Sequence, residues 1–262
     1  MTQESNKTSL CVLCSKDPNE ALYLTILGIK SVYPEFDILI VDSDSEKTEM
    51  YDRISKEFPE IKIHLGKNKN YEMGAWKMAY DLYPEYDIYM CLQDNVQPLI
   101  RLPNIEKLNE NDVYILPHDS GLICITRDNP KRPGPHRRRG KRRLSRAITK
   151  LISKTKYYIT FLKLKEERFS ITLGNNFITS NYIMRKLTQN LDRLPCNKEE
   201  SCSYERILSL FFIEENCNIL RASWKGRVCA DGDLTKEKKS GIHTTNSSLD
   251  PIYFLKTYRG RP

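Results

Sequence analysis

Several things are missing from this sequence, and each absence narrows the reading. No apolar run approaches the ~20 residues that a membrane-spanning helix requires. The opening stretch MTQESNKTSLC is polar and lacks the basic-then-apolar order of a secretory signal, so a cytoplasmic location is expected. There is no Gly-rich phosphate loop of the GxxxxGK type, and no internal repeat stands out. Eight cysteines are present, yet only Cys11 and Cys14 form a C-x-x-C, and no second pair lies at zinc-ribbon spacing. Cys196, Cys202, Cys217 and Cys229 match no zinc pattern either. Cys11, Cys14, Cys91 and Cys124 sit inside apolar runs, where a reduced cysteine behaves as a small hydrophobe. Structural thiols are the expectation.

Negative charge is absent from one place in particular. Between Lys131 and Lys165 lie fourteen of the 42 basic residues and no acid, so the rest of the chain carries 28 basic residues against all 34 acidic ones. The +8 net charge therefore belongs to one segment on an otherwise mildly acidic body, and a general affinity for polyanions over the whole surface does not follow. The segment opens Pro/Gly-rich; from Leu144 onward Leu144, Ile148, Leu151, Ile152, Ile159 and Leu162 recur near helical spacing among lysines and arginines. Such a helix suits an insertion packed on the core, or peripheral association with an anionic membrane surface through 141–165. Nucleic acid ranks third, because aromatics interleave poorly with the charges before Tyr157.

What is present is an alternation. SLCVLCS (9–15), FDILIVDSDS (36–45), IKIHLG (61–66) and YDIYMCLQD (86–94) read as strands apolar on both faces. Helical spacing separates them: from Asp17-Pro18 to about Tyr33, over EKTEMYDRISKEFP, and over 70–85. This predicts an α/β, Rossmann-like, mostly parallel sheet with helices on both faces. A chain of 262 residues holds one such core, or a core with a small appendage. Further on, 112–118 and 120–127 read as strands that could form a hairpin. RFSITLGNNFITSNYIMRKL reads as a strand, a Gly-Asn-Asn turn and a helix, SYERILSLFFIEEN as an amphipathic helix and CNILRASWKGRV as a strand. The tail shows few periodic features.

In sheets of this kind ligands bind beyond the carboxyl ends of the strands. Three of those ends carry polar groups: Ser15-Lys16-Asp17, Asp42-Ser43-Asp44 and Gln93-Asp94-Asn95. A strand-end acid also serves to cap the following helix, as Asp44 or Ser45 would before Glu46. Convergence of three clusters on one rim points instead to a binding site.

Two blocks, ILIVDSDS…NYEMGAWKMAYDLYPEYDIYMCLQDNVQP and LGNNFITSNYIMRKL…SYERILSLFFIEENCNI, resemble the GT-A fold glycosyltransferases, with a likeness over roughly 9–225. The resemblance implies one GT-A-like domain over 1–262: a nucleotide-binding half (9–98), an acceptor and catalytic half (99–225) with the basic insertion 128–165, and a C-terminal tail (226–262). It implies a sugar donor linked to UDP or GDP, a glycan or glycoprotein acceptor, and inversion with a carboxylate base. Ser15, Asp17, Asp42, Asp44, Gly74 and Asp94 are then expected at the nucleotide. Gly74, on this view, lets the backbone approach it, although ordinary helix packing explains the glycine equally well. Asn175 and Asn176 are expected at the donor sugar or acceptor. Glu205 is the expected base, placed by the sequence pattern in the first turn of its helix, with Glu199 and Glu200 as neighbours that could serve instead. The family's D-x-D motif holds Mn2+ or Mg2+; here it reads Gln93-Asp94-Asn95, so Asp94, Asn95 and His243 are the candidate ligands of a weak or dispensable metal. The same amides keep open a second reading, a degenerate nucleotide-sugar-binding module tethered by its basic arm.

Overall fold

The computed structural model describes residues 8–118, 171–191, 193–230, 233–241 and 251–259. The strand expected over 120–127, the basic segment 128–165 and His243 lie outside the described residues.

The first half is the expected alternation. Strand β1 (Ser9–Ser15) leads to α1 (Glu20–Val32), β2 (Asp37–Asp42) to α2 (Glu49–Glu57), β3 (Lys62–His64) to α3 (Tyr71–Leu82), and then comes β4 (Ile88–Gln93). Asn19 starts α1 by accepting from the Ala21 N–H at 2.8 Å. All three helices stop in one way. Tyr33, Phe58 and Tyr83 each precede a proline, leave helical dihedrals, and donate their N–H four residues back. A residue before proline is disfavoured in the α region, so the chain is turned out at those points. The strings YPEFDI, FPEIKI and YPEYDI thus recur 25 residues apart, each delivering a buried residue (Phe36, Ile61, Tyr86) and then a strand. This corrects the reading that no repeat exists: the αβ connection repeats, although the helix bodies do not.

The described strands form a seven-stranded sheet in the order β3-β2-β1-β4-β7-β6-β8. It is completed by β6 (Asp112–His118), β7 (Ile171–Ser180) and β8 (Asn218–Arg221). Strands β3, β2, β1 and β4 are mutually parallel, β7 runs against both its neighbours, and β6 pairs parallel with β8. Side chains alternate between two cores, as the period of a strand requires. Leu10, Val12 and Cys14 face α3, α4 (Asn181–Asn190) and α5 (Lys198–Glu214), whereas Cys11 and Leu13 face α1 and α2. Cys11 and Cys14 therefore lie on opposite faces of β1, and burial pushes both thiols up. They are core residues, not a redox or zinc pair. Among the described residues no helix is long and apolar enough to cross a membrane.

Three expectations about the second half are corrected. Gly174-Asn175-Asn176 is no turn but an irregular stretch inside β7, where the register against β6 shifts between Ile115 and Pro117 and Asn175 adopts φ 59°. CNILRASWKGRV is two strands in different sheets, β8 and β9 (Trp224–Ala230), parted at Ala222-Ser223. The tail contains β10 (Asp233–Gly241) and β11 (Phe254–Arg259), which join β9 and β5 (Val96–Pro98) in a second sheet ordered β10-β9-β11-β5. Between β4 and β5 stand only Asp94 and Asn95, so the chain changes sheets at those two residues.

Candidate functional site at the carboxyl edge of the large sheet

The order β3-β2-β1-β4 has its switch point between β1 and β4: from β1 the chain builds outward to β2 and β3, then returns to the other side. The two strands cannot both be followed by covering helices on the same face there, so their carboxyl ends leave a crevice. Asp94 sits at that crevice and is held from three directions. Its N–H donates to Cys14 O (3.1 Å), its carbonyl accepts from Thr25 Oγ1 of α1 (3.0 Å), and its Oδ2 accepts from Ser15 Oγ (2.8 Å). Ser15 and Asp94, both expected at the nucleotide, are thus joined across the switch point.

Behind Asp94 runs a buried polar network. Gln93 donates from Nε2 to Glu72 Oε1 (2.5 Å), and Ser201 Oγ donates to Glu72 Oε2 (2.9 Å). Lys256, on β11, donates from Nζ to Gln93 Oε1. Glu72 is 7% exposed and Lys256 6%. Burial pulls the Lys256 ammonium down to about 8, against the opposing fields of Glu205, Glu72 and Asp94 and with a push from Lys198. Helix α5 supplies one wall of this cluster, because residues three and four apart share a helix face: Lys198, Ser201, Cys202 and Glu205. Glu205 therefore belongs to the site by geometry. It does not open its helix, however. Asn197 caps α5 by accepting from the Glu200 N–H (2.9 Å), and Glu205 lies two turns farther in. The sequence pattern missed this start because the polar stretch KEESCS hides it. The expectation of Glu205 in the first turn of its helix is thereby corrected. Glu200, in the first turn, instead accepts from the Cys196 N–H (3.0 Å) and from Arg193 (2.7 Å).

The end of β2 is more self-contained. Asp42, 5% exposed, accepts from the Ser45 N–H (3.1 Å), the Ser45 hydroxyl and Tyr51 OH (2.8 Å), so its carboxylate holds the loop after β2. Asp17 does similar work from β1: its Oδ1 accepts from the Glu46 N–H (2.9 Å) and its N–H donates to Ser45 Oγ (2.8 Å). Asp17 and Asp44 both take left-handed backbone, at φ 49° and 60°, a conformation that Asp tolerates better than most residues. Asp44 remains half exposed, 3.9 Å from Lys69. Asn68 ties this edge to α3 by donating to Ser43 Oγ (3.1 Å) and Tyr71 O (2.8 Å). At Gly74 a Cβ would overlap Asn68 Oδ1 and stand 2.6 Å from Asn70 Cβ. The protein's own turn occupies that space, so the packing of Asn68 and Asn70 requires a glycine here.

Asn175 and Asn176 lie beside β4 and are fully buried. Asn176 Oδ1 accepts from the Gln93 N–H (2.7 Å), taking over where the β4–β7 ladder ends at Cys91. Asn175 Oδ1 is buried with no hydrogen-bond partner.

A divalent cation of the Mn2+ or Mg2+ type gathers about six hard oxygens and gains most from carboxylates. Asp94 is the one acid of its triplet. Gln93 Oε1 already receives the Lys256 ammonium, and Asn95 turns its Nδ2 to Thr257 O (2.9 Å) while its Oδ1 is sealed from solvent. Among the described residues no group of three or more His, Cys, Asp or Glu side chains could hold a metal. The described residues offer such a cation a poor ligand set; His243, the third candidate ligand, lies outside them. The physical reason for the poor set is that a positively charged side chain holds the oxygen residue 93 would offer.

Sequence reasoning missed Glu72, Ser201, Thr25 and Lys256. Two of them carried a signal. Glu72 is an acid among the buried residues Met73, Gly74, Ala75 and Trp76, and Lys256 is a lone charge in YFLKTY. A charge inside an apolar run is a candidate for a paired, buried role.

No family model matches the chain, and no curated protein matches it. Solved structures do. The crystal structure of S. aureus TarS superposes with a TM-score of 0.50 at 12% identity, covering 96% of this chain and 37% of TarS. TarS 1–349 in complex with UDP gives 0.49 at 12% identity, over 96% of this chain and 61% of that one. GalNAc-T7 with UDP, GalNAc and Mn2+ gives 0.37 at 13% identity, over 43% and 23%. These proteins are glycosyltransferases. The chain thus spans little more than a third of TarS, and at this identity the likeness shows a shared fold, the GT-A arrangement expected from the sequence.

Proposed function

We propose that the chain is a nucleotide-sugar-dependent glycosyltransferase whose donor lies in the crevice between β1 and β4. The observation that carries this reading is the Ser15–Asp94 hydrogen bond across the switch point, with Glu205 and Lys256 in the same cluster. The nucleoside diphosphate occupies the crevice, where Asp94 accepts from a hydroxyl of the ribose or of the transferred sugar. Asp17 and Asp42 serve indirectly, by shaping the loop after β2. A hydroxyl of a glycan or glycoprotein acceptor attacks the anomeric carbon, and Glu205 removes its proton. The bond from that carbon to the diphosphate oxygen breaks, the nucleoside diphosphate leaves with the electron pair, and the anomeric configuration inverts. Lysine 198, on the same face of α5, keeps positive charge close to the base and the leaving group. The sharing of a fold with TarS adds support of a coarser kind.

The test is turnover. Incubation with a panel of UDP- and GDP-linked sugars and mixed glycan acceptors, with and without Mn2+, is expected to release nucleoside diphosphate. No release with any donor, together with no binding of UDP or GDP, overturns the proposal. One observation favours a second reading, a binding module without transfer: two of the three residues at the D-x-D position are amides. That reading predicts binding of UDP or GDP with no release from any donor.

A further inference from the structure

We propose, on the reading of the crevice as a nucleotide-sugar site, that the Lys256 ammonium is the built-in positive charge for the donor diphosphate, so that binding requires no divalent cation. Three observations lead there. First, Lys256 is placed by main-chain structure and not by a flexible arm. Strand β11 pairs antiparallel with β5 so that Lys256 stands opposite Val96. Its neighbour Thr257 clamps Asn95 twice, donating its N–H to Asn95 O and accepting from Asn95 Nδ2, each at 2.9 Å. The lysine is thereby fixed at the corner where the chain leaves β4.

Second, the ammonium is carried into the interior at a cost. An ammonium withdrawn from water is several kcal/mol less favourable before compensation, and an apolar side chain of the same length would avoid that. Here it is 6% exposed, donates to Gln93 Oε1 and stands in the fields of Glu205, Glu72 and Asp94. Glu72, which lies behind that amide, is supplied with donors by Gln93 Nε2 and Ser201 Oγ. Third, Lys256 engages Gln93, a member of the triplet at the D-x-D position, and among the described residues no cluster of acids, histidines or cysteines there could hold a divalent ion. A leaving diphosphate still needs positive charge to stabilise it. Lys256 would supply that charge from beside Gln93, the last residue of β4.

A purely structural counter-ion to Glu72 and Glu205 would leave phosphate recognition untouched, and the experiment is built on that difference. Calorimetric titration of the full chain with UDP and with GDP is run in EDTA and in Mn2+, and ligand-observed NMR follows uridine, which has no phosphates. The same series is run on Lys256→Met and Lys256→Gln. The expected results are diphosphate binding in EDTA within about threefold of that in Mn2+, a loss of about 10- to 100-fold in diphosphate affinity in both variants, and uridine affinity unchanged. Equal diphosphate affinity in the folded variants overturns the inference, as does an absolute requirement for Mn2+ in the wild type. The Mn2+ result leaves the glycosyltransferase reading standing; absence of UDP, GDP and uridine binding under every condition removes both. Should neither variant fold, the wild-type comparison in EDTA and Mn2+ decides alone.

Discussion

Residues 9–93 and the residues after Asn95 are assembled by different means. In the first stretch each parallel strand is reached through one helix and one proline-closed turn, repeated three times at a 25-residue spacing. In the second, Asn95 meets Thr257 across 162 positions and Gln93 meets Lys256 across 163. On the proposed function, the first stretch provides the crevice for the donor, and the second brings the charged groups Glu205 and Lys256 to its edge. Local αβ units fix where a ligand can lie, and long-range pairings fix what can be done to it.

The largest expected effect separates these two contributions. Glu205→Gln is expected to lower sugar transfer by about 100- to 10,000-fold, with the thermal midpoint retained and donor binding within a few-fold of wild type. Unchanged turnover in a steady-state assay would remove Glu205 as the base. Next comes the seam between the two regions. Trp76 of α3 is fully buried and meets Phe177 of β7 edge-on at 6.4 Å. Trp76→Ala is expected to cost about 3–5 kcal/mol in urea unfolding. A loss below about 1 kcal/mol would mean that the two regions are not packed as one core.

A smaller effect is confined to the first region. Gly74→Ala pushes a methyl into Asn68 and Asn70, and about 1–3 kcal/mol of destabilisation is expected. Restoration of stability in Gly74→Ala combined with Asn68→Ala would trace the cost to that contact. The smallest effect belongs to Lys256. Its ammonium is held at about 8 by burial, with Glu205, Glu72 and Asp94 opposing and Lys198 assisting. A bound diphosphate favours the charged form, so the complex holds more protons than the free protein above that pH. Affinity for UDP is then expected to fall as pH rises through about 8, by at most about tenfold per pH unit. A flat profile between pH 7 and 9.5 in calorimetry would set Lys256 apart from the phosphates.

The sequence showed the first region well. Strands apolar on both faces and helices at 3.6 spacing led to the sheet, and Ser15 and Asp94, singled out as polar groups at strand ends, are hydrogen-bonded to each other. The second region was harder to see for physical reasons. Strand β11 is short, and what makes it a strand is its pairing with β5 and β9, which no local pattern encodes. The irregular stretch in β7 reads as a turn, because Gly-Asn-Asn has turn chemistry wherever it occurs. Polar residues opening α5 concealed its start, which is why Glu205 was expected in the first turn. Asp42 and Asp17 illustrate a further limit. A strand-end acid has the same identity whether or not it also holds a loop, and the partners Ser45, Tyr51 and Glu46 became visible only in the structure.

Hydrogen–deuterium exchange with and without UDP or GDP tests the placement of the donor most directly. The account predicts slowed exchange in peptides covering 14–19 and 93–97, with a further slowing over 254–258. Bound nucleotide that leaves the 14–19 and 93–97 peptides unchanged, or that protects another face of the molecule, would contradict it.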